Sequence, residues 1–163
     1  MIDPNLTGRP RVEAALEILG IEAAIVSPGT PMPTVPLAAE AVGCTVDQII
    51  KTVVFVTKDR HPVVAVANGT NRIDRKRLAA AIGVSTLKLA DPEFVLDVTG
   101  YPAGGVSPVG IRTLDAPIII DGAVLEQDSV YGGAGTEDDL LHVATRDLVA
   151  VTGGRVCAIT RGD

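Results

Sequence analysis

The sequence predicts an α+β fold, with a mixed, largely antiparallel curled sheet and flanking helices. Strand-like runs outnumber helical ones, and several follow one another across short polar connections, as hairpins do. Strands and helices also lack the regular alternation of a doubly wound parallel sheet. The core has to be aliphatic. With no Trp, two Phe and two Tyr in a chain that is 47% hydrophobic, packing falls to Val, Ile, Leu and Ala. A length of 163 residues suffices to bury such a core in one domain, expected to span residues 1–163.

Residues 11–19 read as a helix with Val12, Leu16 and Leu19 on one stripe, ended by Gly20. Ile21 to Ser27 follows as a short strand, and Ser27-Pro28-Gly29-Thr30-Pro31-Met32-Pro33 is too proline-rich for regular structure. Thr34 caps a second helix with Pro36 in its first turn and Gly43 at its end. Thr45-Val46-Asp47-Gln48 has capping-box spacing just before the most apolar strand. Lys58-Asp59-Arg60-His61 has hairpin polarity, joining strands 50–57 and 62–67. Asp74 caps a helix carrying Leu78, Ala79 and Ile82 inward to Gly83, and Thr86 to Leu89 is a short strand. Asp91-Pro92-Glu93 opens a helix that Gly100 breaks after Thr99. A glycine-rich loop covers 100–110; strands follow at 117–121, 128–132, 139–144 and 155–159, with a helix capped by Thr145 between the last two.

Composition narrows the function. Twenty acids against fourteen Lys and Arg give a net charge of −6, which disfavours a protein that grips DNA or long RNA. An enzyme that touches only the tip of a nucleic acid is compatible with it. The basic residues are uneven, with Arg72, Arg75, Lys76 and Arg77 within six positions, a pattern usual for a solvated helix turn. No run is long enough to span a bilayer and no leader is evident, so a cytoplasmic protein is expected. Cys44 and Cys157 lack ligand-spaced partners, which predicts neither metal nor disulfide and two small buried side chains. Dinucleotide and phosphate-loop motifs are missing, and no cofactor is implied. Gly132-Gly133-Ala134-Gly135 lacks the lysine a nucleotide loop needs. His61 and His142 have no Ser or Cys nucleophile evident beside them, so no triad is expected. Arg161-Gly162-Asp163 reads as a frayed tail.

Two features stand out. Ile49-Ile50-Lys51-Thr52-Val53-Val54-Phe55-Val56 is apolar on both faces, as a central strand is, yet carries a lysine near its start. By alternation Lys51 shares a face with Ile49, Val53 and Phe55. An ammonium group there must reach water, a carboxylate or an anionic ligand. The strand alone fits a lysine snorkelling at a strand end better than a ligand-binding one. The second feature is Tyr101-Pro102-Ala103-Gly104-Gly105-Val106-Ser107-Pro108-Val109-Gly110. Its paired glycines permit close approach of a ligand to the main chain, or simply a tight connection at positive φ.

Together these segments resemble the YbaK/ProX family of aminoacyl-tRNA deacylases, whose fold is also that of the editing domain of bacterial prolyl-tRNA synthetases. The resemblance runs from about Thr34 to Val156, with its parts in family order: Asp47 to Phe55, Arg72 to Ala79, Leu87 to Glu93, Thr99 to Gly110, and Asp147 to Gly153. The Lys-Thr strand followed by the Gly-Gly-x-x-Pro-x-Gly loop is its most specific combination. It implies hydrolysis of the ester joining a wrong amino acid to tRNA. Lys51 would be the catalytic-site residue, holding the phosphate or sugar edge of the terminal adenosine. Thr52, Gly104, Gly105, Val106, Ser107, Pro108, Gly110 and Gly133 would bind substrate. The ester is already activated, so positioning and electrostatic stabilisation can suffice, with a water or a substrate hydroxyl or thiol attacking.

The implied partner is the acceptor end of an aminoacyl-tRNA, with the Arg72–Arg77 cluster as counter-charge, and possibly a tRNA synthetase, the protein being a monomer or homodimer. The chain departs from many relatives at Gly133-Ala134-Gly135-Thr136-Glu137-Asp138, where a Ser-Ala-Gly stretch and basic residues are replaced. The 28–36 loop also lacks the aromatic or histidine of cysteine-specific relatives. These departures argue against cysteinyl-tRNA and leave a small amino acid on tRNA-Pro or a related tRNA. The competing expectation is a non-catalytic paralogue binding an aminoacyl-adenosine, a nucleotide or a partner protein.

Overall fold

The computed structural model describes residues 1–161, so Gly162 and Asp163 of the expected tail lie outside the described residues. Helix α1 (Gly8–Leu19) starts three residues earlier than its apolar stripe indicates and ends on Gly20 at φ 65°. It is followed by β1 (Ala23–Val26) and α2 (Val35–Val42), the latter capped by Thr34 Oγ1, which accepts from Leu37 N. A short 3₁₀ turn at Val46–Gln48 is closed by Gln48 Oε1 accepting from Thr45 N at 3.2 Å. It delivers the chain into β2 (Ile50–Val56).

β2 pairs antiparallel with β3 (Pro62–Asn68) along its whole length, from Ile50 opposite Asn68 to Val56 opposite Pro62. The connecting turn places Arg60 at φ 62°, its guanidinium 5.1 Å from the Phe94 ring centre. A two-residue β4 (Arg72–Ile73) precedes α3 (Arg75–Ile82), where Asp74 Oδ1 accepts from Lys76 N and Arg77 N. β5 (Lys88–Leu89) is shorter than the expected 86–89, and α4 (Pro92–Thr99) is capped by Asp91 as its sequence predicts. After the 100–110 loop come β6 (Ile118–Asp121), β7 (Ser129–Gly133), β8 (Leu140–Ala144), α5 (Thr145–Thr152), β9 (Arg155–Cys157) and β10 (Thr160–Arg161).

Three sheets result, ordered β5-β2-β3-β6-β9, β1-β8-β7 and β10-β4. Their pairings are antiparallel except β3–β6 and β6–β9, and a lone parallel bridge from Ile49 to Tyr131 links the first two sheets. This is the mixed, largely antiparallel α+β architecture expected, curled because β7 approaches the start of β2. The alternation of β2 holds. Ile50 and Val54 join the main core with Val12, Val64, Tyr101, Ile120 and Leu141, whereas Phe55 packs on the other face with Leu78, Ala79 and Ile159.

Three local expectations change. The 155–159 run ends as β9 at Cys157, and the chain continues into the separate β10–β4 pair, fixed by Asp121 Oδ1 accepting from Ile159 N at 2.9 Å. Thr145 does not cap α5; it is the helix's first residue, and its Oγ1 donates to Gln127 O at 2.5 Å. Cys44 and Cys157 are half-buried rather than buried. Among the described residues no helix is long and apolar enough to cross a membrane, and no cluster of three metal-ligating side chains occurs.

Candidate active site

The cavity that holds Lys51 arises from a gap in a sheet edge. Along the outer edge of β2, strand pairing among the described residues is limited to the bridge from the preceding Ile49 to Tyr131 of β7 and to β5 at Phe55 and Val56, with Ala90 N donating to Val54 O at 3.0 Å. Between these contacts the edge from Lys51 to Val53 has no strand partner among the described residues, so its main-chain groups face the opening. The gap is a cavity of about 560 Å³. Its walls are aliphatic, including Met32, Val35, Val53, Leu89, Val95 and Leu140, with no aromatic side chain.

Lys51 and Thr52 both line this cavity. Lys51 is half-buried, and its side chain makes no hydrogen bond or ion pair among the described residues. Burial holds its ammonium pKa below the usual lysine value, because desolvation penalises the charged form. Thr52 Oγ1 is buried without a hydrogen-bond partner, an arrangement that carries a desolvation cost unless a ligand meets it.

The glycine-proline loop divides. Gly104 and Val106 line the cavity, as does Gly133. Gly105 sits behind them: a Cβ there would lie 2.9 Å from Thr136 N, and Gly105 O accepts from Gly135 N at 2.8 Å. A Cβ on Gly133 would fall onto the Val106 carbonyl. Glycine at these positions lets two backbones touch. Ser107, Pro108 and Gly110 lie away from the cavity. Ser107 is fully buried, its Oγ accepting from Val109 N at 3.3 Å, and Pro108 and Gly110 line a separate cavity of about 700 Å³ beside α1. Gly110 O accepts from Arg11 Nε at 2.6 Å, and Tyr101 Oη donates to Val109 O at 2.6 Å.

Asp139 belongs to the same cavity, although sequence reasoning assigned it no role. Its Oδ1 accepts from Arg9 Nη1 at 3.0 Å and from Ser27 Oγ, and its Oδ2 from Thr136 Oγ1 at 2.6 Å. Burial raises the carboxyl's pKa, but the hydrogen bonds from Ser27 and Thr136 and the Arg9 charge outweigh it and hold the group below the usual range. Arg9 and Ser27 come from α1 and the end of β1, over a hundred residues away in sequence. An acid following the glycine run was the only local signal.

His142 gains the neighbour its sequence did not show. Antiparallel pairing of β7 with β8 puts its Nε2 3.0 Å from Ser129 Oγ and stacks its ring on Tyr131 at 4.1 Å. Neither Ser129 nor His142 lines the Lys51 cavity. The basic cluster on α3 is partly neutralised by Asp74, which pairs with Arg161 at 3.5 Å and Arg77 at 3.9 Å. The Arg75 guanidinium lies 6.0 Å from the ring centre of Phe55, on the face of β2 that carries Lys51.

Comparison with known proteins identifies the family. The sequence model of the aminoacyl-tRNA editing domain matches residues 29–151. The chain is 30% identical over 122 residues to an Enterococcus faecalis protein named "Putative Cys-tRNA(Pro)/Cys-tRNA(Cys) deacylase EbsC", covering 75% of this chain and 74% of that one. It is 34% identical over 119 residues to the proline–tRNA ligase of Geotalea daltonii, matching 71% of this chain but only 20% of the ligase. A crystal structure described as "a putative trans-editing enzyme for prolyl tRNA synthetase" superposes with a TM-score of 0.84 at 32% identity, covering 99% of this chain and all of that one. The match of the editing-domain model over residues 29–151, with a relative 30% identical over 122 residues, shows that this chain belongs to the aminoacyl-tRNA editing domain family.

Proposed function

We propose that the chain acts as one trans-editing deacylase domain, hydrolysing the ester between a mismatched amino acid and the 3′ end of its tRNA. The observation that carries this reading is the unpaired, half-buried Lys51 ammonium at an open strand edge inside an aliphatic cavity. A desolvated cation without a counter-ion is costly unless an anion arrives, and the terminal adenosine with its phosphate supplies one. Lys51 would anchor that end while main-chain groups of Gly104 and Val106 and the β2 edge hold the aminoacyl part.

No strong nucleophile is needed. The ester is activated, and held donors and charge beside the developing oxyanion lower the barrier for an attacking water or substrate hydroxyl or thiol. The aliphatic walls favour a small apolar side chain. Names of relatives point both to cysteinyl-tRNA, through the Enterococcus protein, and to the proline system, through the ligases. The absence of aromatic and histidine side chains from the cavity wall favours a small residue such as alanine on tRNA-Pro or a related tRNA. Arg72, Arg75 and Lys76 offer counter-charge to the acceptor stem, which reconciles a net charge of −6 with a nucleic-acid substrate. Such a substrate places the activity in the cytoplasm, with or without a bound synthetase, as monomer or homodimer.

Incubation with a panel of mischarged tRNAs, following ester loss, tests the reading. Hydrolysis of at least one small aminoacyl-tRNA well above the spontaneous rate is expected. Binding without hydrolysis across the panel would instead identify a non-catalytic paralogue.

A further inference from the structure

The Lys51 cavity carries charge of both signs. Lys51 is its one Lys or Arg among the described residues, and Glu137 and Asp139 are its acids. Asp139 is committed to Arg9, Ser27 and Thr136, with three of its roughly four lone-pair positions engaged. Glu137 is not committed: it forms no hydrogen bond or ion pair among the described residues, including with Lys51. Two opposite charges that share a cavity without meeting are complementary to a ligand bearing both signs.

The Glu137 backbone is nonetheless held. On one side Gly135 N donates to Gly105 O and Thr136 packs against Gly105. On the other Thr136 Oγ1 accepts from Asp138 N at 3.1 Å and donates to Asp139. The carboxylate lies over the loop glycines, with Oε1 3.5 Å from where a Cβ on Gly104 would stand. An anion is thus presented beside the main chain that would hold the aminoacyl moiety.

An aminoacyl ester carries an ammonium group on the carbon next to its carbonyl, and a phosphodiester on the far side of the ribose. We propose that Glu137 binds this α-ammonium, making the domain selective for esters with a free amino group over those with a neutral substituent at the same carbon. The inference rests on the deacylase reading and deepens it. It also gives a use to an acid that no other side chain among the described residues engages. Asp139 is then a positioning residue that fixes the 136–139 segment.

The test compares alanyl-tRNA with lactyl-tRNA, the same tRNA and side chain with hydroxyl in place of ammonium, in wild type, Glu137→Gln and Glu137→Asp. A charge-assisted hydrogen bond at a solvent-accessible position predicts that Glu137→Gln lowers the alanyl-to-lactyl ratio of kcat/KM roughly tenfold, with Glu137→Asp keeping part of the preference. A ratio within twofold of wild type, whether both esters slow together or neither does, would overturn the role of Glu137 while leaving the deacylase reading intact. If wild type hydrolysed neither ester, nor any other in the mischarged panel, both readings would fall.

Discussion

The two halves of the loop from Ala103 to Gly110 are both built of small residues with a glycine at positive φ, and they have opposite surroundings. Ala103, Gly104 and Val106 face the Lys51 cavity, and the main chain of Gly105 and Val106 presses against Gly133–Thr136. Ser107 to Gly110 turns inward, with Ser107 fully buried, Tyr101 Oη bonded to Val109 O and Arg11 Nε bonded to Gly110 O. Each half has a glycine at positive φ, Gly104 at 91° and Gly110 at 74°, and only the neighbours distinguish them. A glycine-proline run therefore marks where the chain must bend or approach closely, and says little about which bends meet substrate.

The difference can be broken from the inner half first. Gly110→Val would push a side chain into Tyr101 Oη at 2.7 Å and Ala15 Cβ at 2.8 Å while straining φ. A loss of about 3 kcal/mol or more is expected in urea denaturation, with activity falling only as the fold does. Next comes the brace outside the loop. Asp139→Asn removes the charge shared by Arg9, Ser27 and Thr136 and should cost about 2 kcal/mol at neutral pH. Because the folded-state pKa of Asp139 lies below the ordinary 3.8, its stabilisation is fully present above that value and is lost as pH falls through the folded one. The gap between wild type and variant should thus close in acid. The outer half gives the smallest stability effect. Gly104→Ala strains φ but meets nothing nearer than Glu137 Oε1 at 3.5 Å, so about 1 kcal/mol is expected, with a fall in deacylation larger than that loss explains. A reversed pattern, with Gly110→Val harming catalysis and Gly104→Ala only stability, would invert the assignment of the two halves.

Much of the fold was legible because its signals are local. Thr34, Asp74 and Asp91 cap helices, and the apolar run of β2 reads as a strand buried on both faces. Its outer edge is nonetheless unpaired from Lys51 to Val53 among the described residues, and it is β3 that is paired along both edges. What stayed hidden depends on residues distant in sequence. The parallel pairings of β6, the two-residue strands β4 and β10, and the meeting of His142 with Ser129 exist only through tertiary packing. Thr145 has the right type for a cap, yet the Gln127 carbonyl takes its hydroxyl. The site divides in the same way. Lys51 was legible as a charge out of place on an apolar strand. The gap that opens beside it depends on where β5 and β7 stop, and the anchoring of Asp139 by Arg9 spans 130 positions.

Lys51, we propose, is held in the cavity for substrate and not for stability. Removing a desolvated, unpaired cation relieves a cost to the folded state, because burial disfavours the charged ammonium and that cost is present wherever the pH lies below the folded-state pKa. Lys51→Met, assayed for deacylation and thermal unfolding together, is the direct measurement. A rate reduced about 100-fold or more is expected, in the range for removing one preorganised electrostatic group, with a melting temperature equal to or above wild type. Wild-type rates in that variant, or a loss of activity matched by a lowered melting temperature, would contradict it.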